Sequence, residues 1–440
     1  MAVEPASPLT YPFPPLTRPE WEQRLLRELP AGQLPESLQW RPTAEPTPLA
    51  PYYTAEDAAA LPYRHTQPDT FPYVRGHKSA TNQWLTLEPL TARGKGHAAI
   101  DEARAALLAG ADGIVFTLSA PATFDFNYLI GVIDLAKTYV GYLLPAGADA
   151  IGFVRLFTKA LADRNQPTFG LRGHVELAAP HGLSLPNPAA LDALVDFGRA
   201  APDLFALTID GAAFADAGAG PTLALALTLS QLVEVVSEQA ARGFSAEVVV
   251  GELRCSLGLG TSYFHAIAQQ RALRLLWANT LPAFAVAPHH AALLKLHCRP
   301  SRRILYGLDP DTNLLRLTTT AMAAVIGGCD SLEITPFDEA TDTGATPFGR
   351  RQARNIALLL REEALLAHTV DPAAGSYYLE TLTDEMARTA WTIFQRLEAE
   401  GGYRKAHATV AQLVAEQRDQ QDTAEANGRQ VRVGFNKYLR

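Results

Sequence analysis

The chain has 440 residues, of which 48% are hydrophobic, and a formal net charge of −8. That length can bury a large core, and α/β barrels reach it as one domain, while the visible dominance of Ala and Leu favours helix-rich α/β packing over an all-β fold. The acidic balance, with no basic stripe anywhere, argues against a nucleic-acid partner, because phosphate binding needs clustered Lys and Arg.

Residues 7–70 are crowded with proline, and only residues 20–29, carrying Trp21, Leu25 and Leu26, have helical spacing. Such a segment cannot build its own core. It is either a disordered tail or an extended arm ordered along a partner. Tyr11, Phe13, Trp21, Trp40, Tyr52, Tyr53 and Tyr63 are too many aromatics for a solvated tail, which favours the arm. The start, Met1-Ala2-Val3-Glu4-Pro5, has no basic or apolar signal character, and no apolar run reaches membrane-spanning length. A cytoplasmic, non-membrane protein is expected.

From residue 82 the period changes. An extended run over 83–87, a helix over 100–109 and a buried strand over 113–119 open an alternation. It continues as strand 139–144, helix 150–162, strand 169–176, helix 189–200 and strand 205–209. A helix over 222–239 is leucine-rich around its circumference and is expected to be buried between neighbours. Strand 248–253, helix 263–278 and strand 291–297 follow. Asp309-Pro310-Asp311-Thr312 caps a helix through Leu314, Leu317, Ala321 and Val325 that stops at Gly327-Gly328. Strand 331–335, a polar loop over 337–347, helix 350–366, a closing helix 383–401 and a charged amphipathic tail over 404–427 complete the chain. A doubly wound sheet would carry a Gly-rich phosphate turn after its first strand; Gly258-Leu259-Gly260 lacks the third glycine and follows a later strand. Eight strand–helix units predict a (β/α)8 barrel, with chemistry in the loops after the strands. The expected organisation is an arm over 1–75, a barrel over 76–402 and a helical tail over 403–440.

Candidate chemical groups are few. Cys255, Cys298 and Cys329 lack metal spacing and sit among apolar residues, as buried free thiols in a reducing compartment would. His289-His290 suggests a metal pair, but a loop pair fits better, since adjacent strand positions face opposite ways. Asp338, Glu339 and Asp342 read as loop carboxylates or helix-capping partners before an acid–base cluster. His174 and Glu176 share one strand face at the barrel mouth and permit a polar pocket. Arg302-Arg303 could meet a phosphate, though a surface pair is the default.

Phe337-Asp338-Glu339-Ala340, then Arg354-Asn355 within a helix, then Asp371-Pro372 through Gly375-Ser376-Tyr377-Tyr378 to Glu380, occur in one order and spacing, and Phe435-Asn436-Lys437-Tyr438 ends the run. In these motifs, and more weakly near the start of the barrel, the chain from about Arg75 onward resembles the methylmalonyl-CoA mutase family, adenosylcobalamin-dependent isomerases of short acyl-CoA thioesters. The resemblance implies a barrel whose side chains protect substrate radicals and hydrogen-bond the thioester carbonyl, and an N-terminal segment that wraps a neighbouring subunit. Three departures stand out. Catalytic members follow a Ser-Gly strand end with Tyr-His, where this chain has Ala212-Ala213. They carry Arg-Gly-Pro-Tyr-x-x-Met-Tyr, where Arg75-Gly76-His77-Lys78-Ser79-Ala80-Thr81-Asn82 keeps only the first two residues. After strand six, His297-Cys298-Arg299-Pro300 retains only the histidine of His-Ser-Gln-Thr-Ser-Gly-Trp.

The family's cobalt-binding Asp-x-His-x-x-Gly run is absent among the 11 histidines, so no C-terminal cobalamin domain is expected. The resemblance is closest to the small, non-catalytic subunit of heterodimeric methylmalonyl-CoA mutase, notably in Thr208-Ile209-Asp210 and Asp216-Ala217-Gly218-Ala219-Gly220. It implies no catalytic, cofactor or metal residue on this chain alone, adenosylcobalamin in a catalytic large-subunit partner, and vestigial barrel-mouth positions at His174, Asp210, Arg254 and His297. Two rivals are a catalytic acyl-CoA mutase barrel served by a separate cobalamin-binding protein, and a stand-alone acyl-CoA-binding barrel.

Overall fold

The computed structural model describes residues 17–30, 38–178 and 183–438. A first helix, α1 (Arg18–Glu28), starts where the Glu20 carboxylate accepts the Thr17 N–H at 2.8 Å. The barrel then opens with β1 (Leu85–Ala92), α2 (His97–Leu108), β2 (Gly113–Leu118), α3 (Phe126–Val132), β3 (Tyr139–Leu144), α4 (Ala150–Asp163) and β4 (Arg172–Leu177). After α5 (Pro188–Ala200) come β5 (Leu204–Phe205) and β6 (Leu207–Asp210), α6 (Ala212–Ala217), α7 (Pro221–Ala241) and α8 (Ala246–Gly251). The remainder is β7 (Leu253–Leu259), α9 (Tyr263–Thr280), β8 (Lys295–Pro300), α10 (Pro310–Ile326), β9 (Ser331–Glu333), α11 (Pro347–Glu362), α12 (Tyr377–Ala399) and α13 (His407–Ala426).

All strand pairs are parallel, in the order β5-β4-β3-β2-β1-β9-β8-β7-β6. The two ends of that order meet at Ala206. β5 pairs with β4 and β6 pairs with β7, so β5 and β6 are one strand interrupted by a single residue, and the sheet is an eight-position closed barrel. The expected (β/α)8 architecture is therefore present. The main core lies between the strands' outward faces and the helices, with Ile100, Phe116, Tyr142, Phe153, Phe157 and Trp277 fully buried there. A much smaller apolar cluster, Leu87, Val115 and Tyr139, lies on the alternate strand positions that face the bore. α7 and α9 are buried on nearly every side because α12 crosses over both, which accounts for the leucines around α7.

Three elements differ from expectation. The Val248-Val249-Val250 run, expected as strand 248–253, is helical in α8, and the strand begins at Leu253. Residues 291–293 form part of a 3-10 turn, so β8 starts at Lys295 and runs past His297 to Pro300. Phe169 lies outside β4 and is exposed, with the strand starting at Arg172.

In the N-terminal segment, Tyr11 and Phe13 lie outside the described residues. Leu49, Ala58, Leu61, Tyr63, Tyr73 and Val74 join the main core, so residues 49–75 pack on the chain's own barrel. The Tyr63 hydroxyl donates to Asp384 at 2.9 Å. Trp21 stacks on Tyr52, which is half exposed, and Trp40 is more exposed still. Where this segment meets the barrel, Arg75 and Arg271 share Asp371 and Glu380 in a buried four-residue ion cluster. Arg75 lies 3.3 Å from Asp371 and 3.0 Å from Glu380, and Arg271 lies 2.9 Å from Glu380 and in contact with Asp371. Among the described residues no helix is long and apolar enough to cross a membrane.

Candidate functional site: the barrel bore and mouth

The bore is built from alternate residues of each strand, and its two halves differ. β1, β2 and β3 contribute Leu87, Val115 and Tyr139, whereas β4 and β6–β9 contribute His174, Glu176, Asp210, Arg254, Ser256, His297, Arg299, Ser331 and Glu333. Parallel register puts Arg254 beside Lys295, Ser256 beside both Asp210 and His297, and His297 beside Ser331. The four residues expected at the mouth therefore occupy one bore.

Three of the four find a hydrogen-bond partner inside it. His174, 1% exposed, meets the Tyr139 hydroxyl at 3.0 Å through Nδ1. Its ring occupies the space a side chain at residue 141 would need, so β3 carries Gly141 there. His297 meets Ser331 Oγ at 2.9 Å through Nδ1, with Glu333 3.9 Å from its other nitrogen. Asp210, at the end of β6, accepts the Ser256 hydroxyl at 2.7 Å, and that oxygen in turn accepts the Ala212 N–H at 3.2 Å. Arg254 Nη1 stands 3.8 Å from Glu176, too far for a hydrogen bond.

Burial sets the charge states. Desolvation, reinforced by the Arg254 charge, holds the His174 and His297 imidazoles well below their ordinary range, so both are neutral at pH 7. Desolvation and then the Asp210 charge push the Glu176 carboxyl up to about 8 against the pull of Arg254. Burial raises Glu333 as well. Three acids face two arginines here, and Arg299 is already paired with Asp216 at 2.7 Å. Keeping one acid protonated relieves the imbalance.

At the mouth, Ala212 and Ala213 open α6 directly after β6, the first fully buried and the second partly exposed. Asp216, later in α6, accepts from Arg299, from Ser301 Oγ at 2.9 Å and from the Arg302 N–H at 2.7 Å, tying the β8 loop to α6. Ser256 has its hydroxyl engaged by Asp210, and among the described residues no group of three or more His, Cys, Asp or Glu is placed to hold a metal ion.

The remaining candidates are structural. Asp338 accepts the Thr346 N–H at 3.1 Å and its hydroxyl, bracing the start of α11. His289 and His290 stack in a 3-10 turn, with His290 2.9 Å from Glu247. Arg303 pairs with Asp422 at 2.5 Å. All three cysteines are free and buried, and desolvation pushes Cys255 up to about 12. Sequence reasoning missed Tyr139, Ser256, Arg299 and Glu333 as bore residues. The signal that finds them is the period-2 phase of β3, β7, β8 and β9, which needed correct boundaries for β7 and β8.

Comparison with known proteins agrees with this architecture. The family model described as methylmalonyl-CoA mutase matches residues 176–440. The methylmalonyl-CoA mutase small subunit of Porphyromonas gingivalis is 28% identical over 97% of this chain and 70% of its own length. A probable methylmalonyl-CoA mutase small subunit of Mycobacterium bovis is 31% identical over 92% of this chain and 67% of its own. A methylmalonyl-CoA mutase of Cereibacter sphaeroides is 29% identical over 95% of this chain, which spans only 64% of that relative's length. With the closed barrel and the motif run from Phe337 to Glu380, these matches establish that the chain belongs to the methylmalonyl-CoA mutase family.

Proposed function

We propose that this chain is the non-catalytic small subunit of an adenosylcobalamin-dependent methylmalonyl-CoA mutase, and that it supports a catalytic large subunit that interconverts methylmalonyl-CoA and succinyl-CoA. The observation that carries this reading is the pair Ala212-Ala213 at the head of α6, at the barrel mouth where the family resemblance calls for a phenol and an imidazole. A methyl group cannot donate to a thioester carbonyl, and losing one such charge-stabilising donor costs about 3 kcal/mol of barrier.

The bore supports the same reading. Arg254, Glu176, His174 and Tyr139 project into the space along the barrel axis, and an acyl thioester threaded there would displace these side chains, including the hydrogen-bonded pair His174 and Tyr139. The residues present do not suit the corrin either. Among the described residues the bore histidines are deep and engaged by Tyr139 and Ser331, and the mouth offers Arg299 and Asp216 already paired to each other. In this reading the chain's own residues perform no step of the rearrangement. The names of the Porphyromonas and Mycobacterium relatives as small subunits favour assembly as the retained role.

The test is co-expression with a large mutase subunit. A single complex on size-exclusion chromatography, active with adenosylcobalamin, together with no rearrangement of methylmalonyl-CoA by the isolated chain, is the expected outcome. Turnover by the isolated chain supplied with the coenzyme would overturn the proposal.

A further inference from the structure

A row of aromatic rings on the outside of the barrel belongs to neither the bore nor the mouth. Trp21 of α1 stacks on Tyr52 with ring centres 5.0 Å apart, Tyr53 packs on Tyr378 of α12 at 4.9 Å, and Tyr378 meets Phe264 of α9 edge-on at 5.1 Å. Tyr377 adjoins them. Tyr52, Phe264 and Tyr377 are between 39% and 51% exposed, so the row presents bare ring surface to solvent.

Between residues 50–53 and the start of α12, four of these tyrosines, 52, 53, 377 and 378, wall a groove of about 510 Å³. That volume lies inside the range of about 300–1,000 Å³ found for ligand sites. Among the described residues that line it none is Asp, Glu, Lys, Arg or His, so a guest is held by ring faces and hydroxyl groups rather than by charge. The wall is also fixed, because the Tyr53 hydroxyl accepts the Ala50 N–H at 3.1 Å.

The chain carries a segment of matching chemistry. Residues 5–15 read Pro-Ala-Ser-Pro-Leu-Thr-Tyr-Pro-Phe-Pro-Pro, with no charged side chain and two Pro-x-x-Pro repeats, Pro5 to Pro8 and Pro12 to Pro15. Residues 1–16 lie outside the described residues, but the point where they join the rest is fixed beside the groove. Arg18 pairs with Asp57, and Trp21 stacks on the groove-wall residue Tyr52. One Pro-x-x-Pro repeat in a polyproline II strand is about 12 Å long, at about 3.1 Å per residue. Such a strand lays flat rings on aromatic faces and leaves its carbonyls free to accept from tyrosine hydroxyls. Its preset φ also lowers the entropy lost on docking.

We propose that this aromatic groove holds the chain's own proline-rich segment, residues 5–15, as a polyproline II strand, with Tyr52 and Tyr377 as its main contacts. The groove is separate from the mouth, and the proposal stands whether or not the chain is a non-catalytic subunit.

In the full-length chain, Tyr377 is replaced by p-benzoylphenylalanine, and the irradiated protein is mapped by mass spectrometry as a mixture of isotopically light and heavy copies. Crosslinks from residue 377 to residues 5–15 within one copy are expected. Crosslinks that join light to heavy chains make a second copy the occupant and overturn the proposal, as does the absence of any crosslink to residues 5–15. In a second arm, the chain lacking residues 1–16 is titrated with a synthetic peptide of those residues and followed by tryptophan fluorescence, to which Trp21 contributes. Saturable binding at about millimolar or lower concentration is expected. Tyr52→Ala, Tyr377→Ala, and a peptide with Pro5, Pro8, Pro12 and Pro15 changed to Ala should each weaken it by about tenfold. Phe169→Ala, exposed ahead of β4 and outside the groove, should leave it unchanged. Tyr52 and Tyr377 are partly exposed, so both variants keep the fold, which circular dichroism checks. No saturable binding, or an equal loss in Phe169→Ala, overturns the proposal.

Discussion

Glu176 shows how far one residue's surroundings alter its chemistry. Burial and the Asp210 charge raise its carboxyl to about 8 from an ordinary value of 4.5. The native chain therefore holds a proton, across the interval between those values, that the unfolded chain has released. Stability must fall as pH rises through that window, by a few kcal/mol at most, at about 1.4 kcal/mol per unit of difference. Glu45 and Glu252, each pushed to about 7 by burial, act with the same sign and have lost their contribution by a lower pH. We expect the Tm to decline between about pH 4.5 and pH 8, and Glu176→Gln to remove the upper part of that decline. Thermal unfolding followed by circular dichroism across the range checks it; identical slopes in the two proteins would locate the proton elsewhere. His174 and Glu176 were legible as partners because residues two apart on a strand share a face. Arg299 was not, because the predicted strand ended at His297.

At the scale of elements, helix packing is tied down by the cluster of Arg75, Arg271, Asp371 and Glu380, which joins the segment before β1 to α9 and α12. Removing one arginine leaves two buried carboxylates against one cation. Arg271→Leu is expected to cost about 3–5 kcal/mol in urea unfolding, whereas Arg24→Leu, which loses only an exposed pair with Glu28, should stay within about 0.5 kcal/mol. A cost below about 1 kcal/mol for Arg271→Leu would mean the cluster holds nothing together. The α8 error belongs to this scale too. Three consecutive valines favour a strand by propensity, but Val249 and Val250 are fully buried in a helical turn that leads into β7, and burial outweighs a preference of about 1 kcal/mol.

For the whole molecule, the N-terminal segment has two parts with different duties. Residues 49–75 supply Leu49, Ala58, Leu61, Tyr63, Tyr73 and Val74 to the barrel's own core, whereas Trp40, before them, keeps exposed aromatic surface. In the assembly reading, that exposed part is what a large subunit covers. Deleting residues 1–47 should weaken co-elution with the large subunit by about tenfold or more in affinity, while moving the isolated chain's Tm by only a few degrees. Deletion through Thr70 would also strip Leu49, Leu61 and Tyr63 from the core and blur the result. Unchanged co-elution of the shorter deletion would count against a docking role.

Alternating strand and helix periods, the missing Gly-rich turn and the motifs from Phe337 to Glu380 were enough, without coordinates, to determine a (β/α)8 barrel of this family. These are local patterns, and local patterns survive in a linear string. Closure at Ala206, the docking of residues 49–75, the half-polar bore and the unmatched Arg254 were decided only by the tertiary structure. Each depends on which distant side chains share a volume, and on how burial there changes their charge.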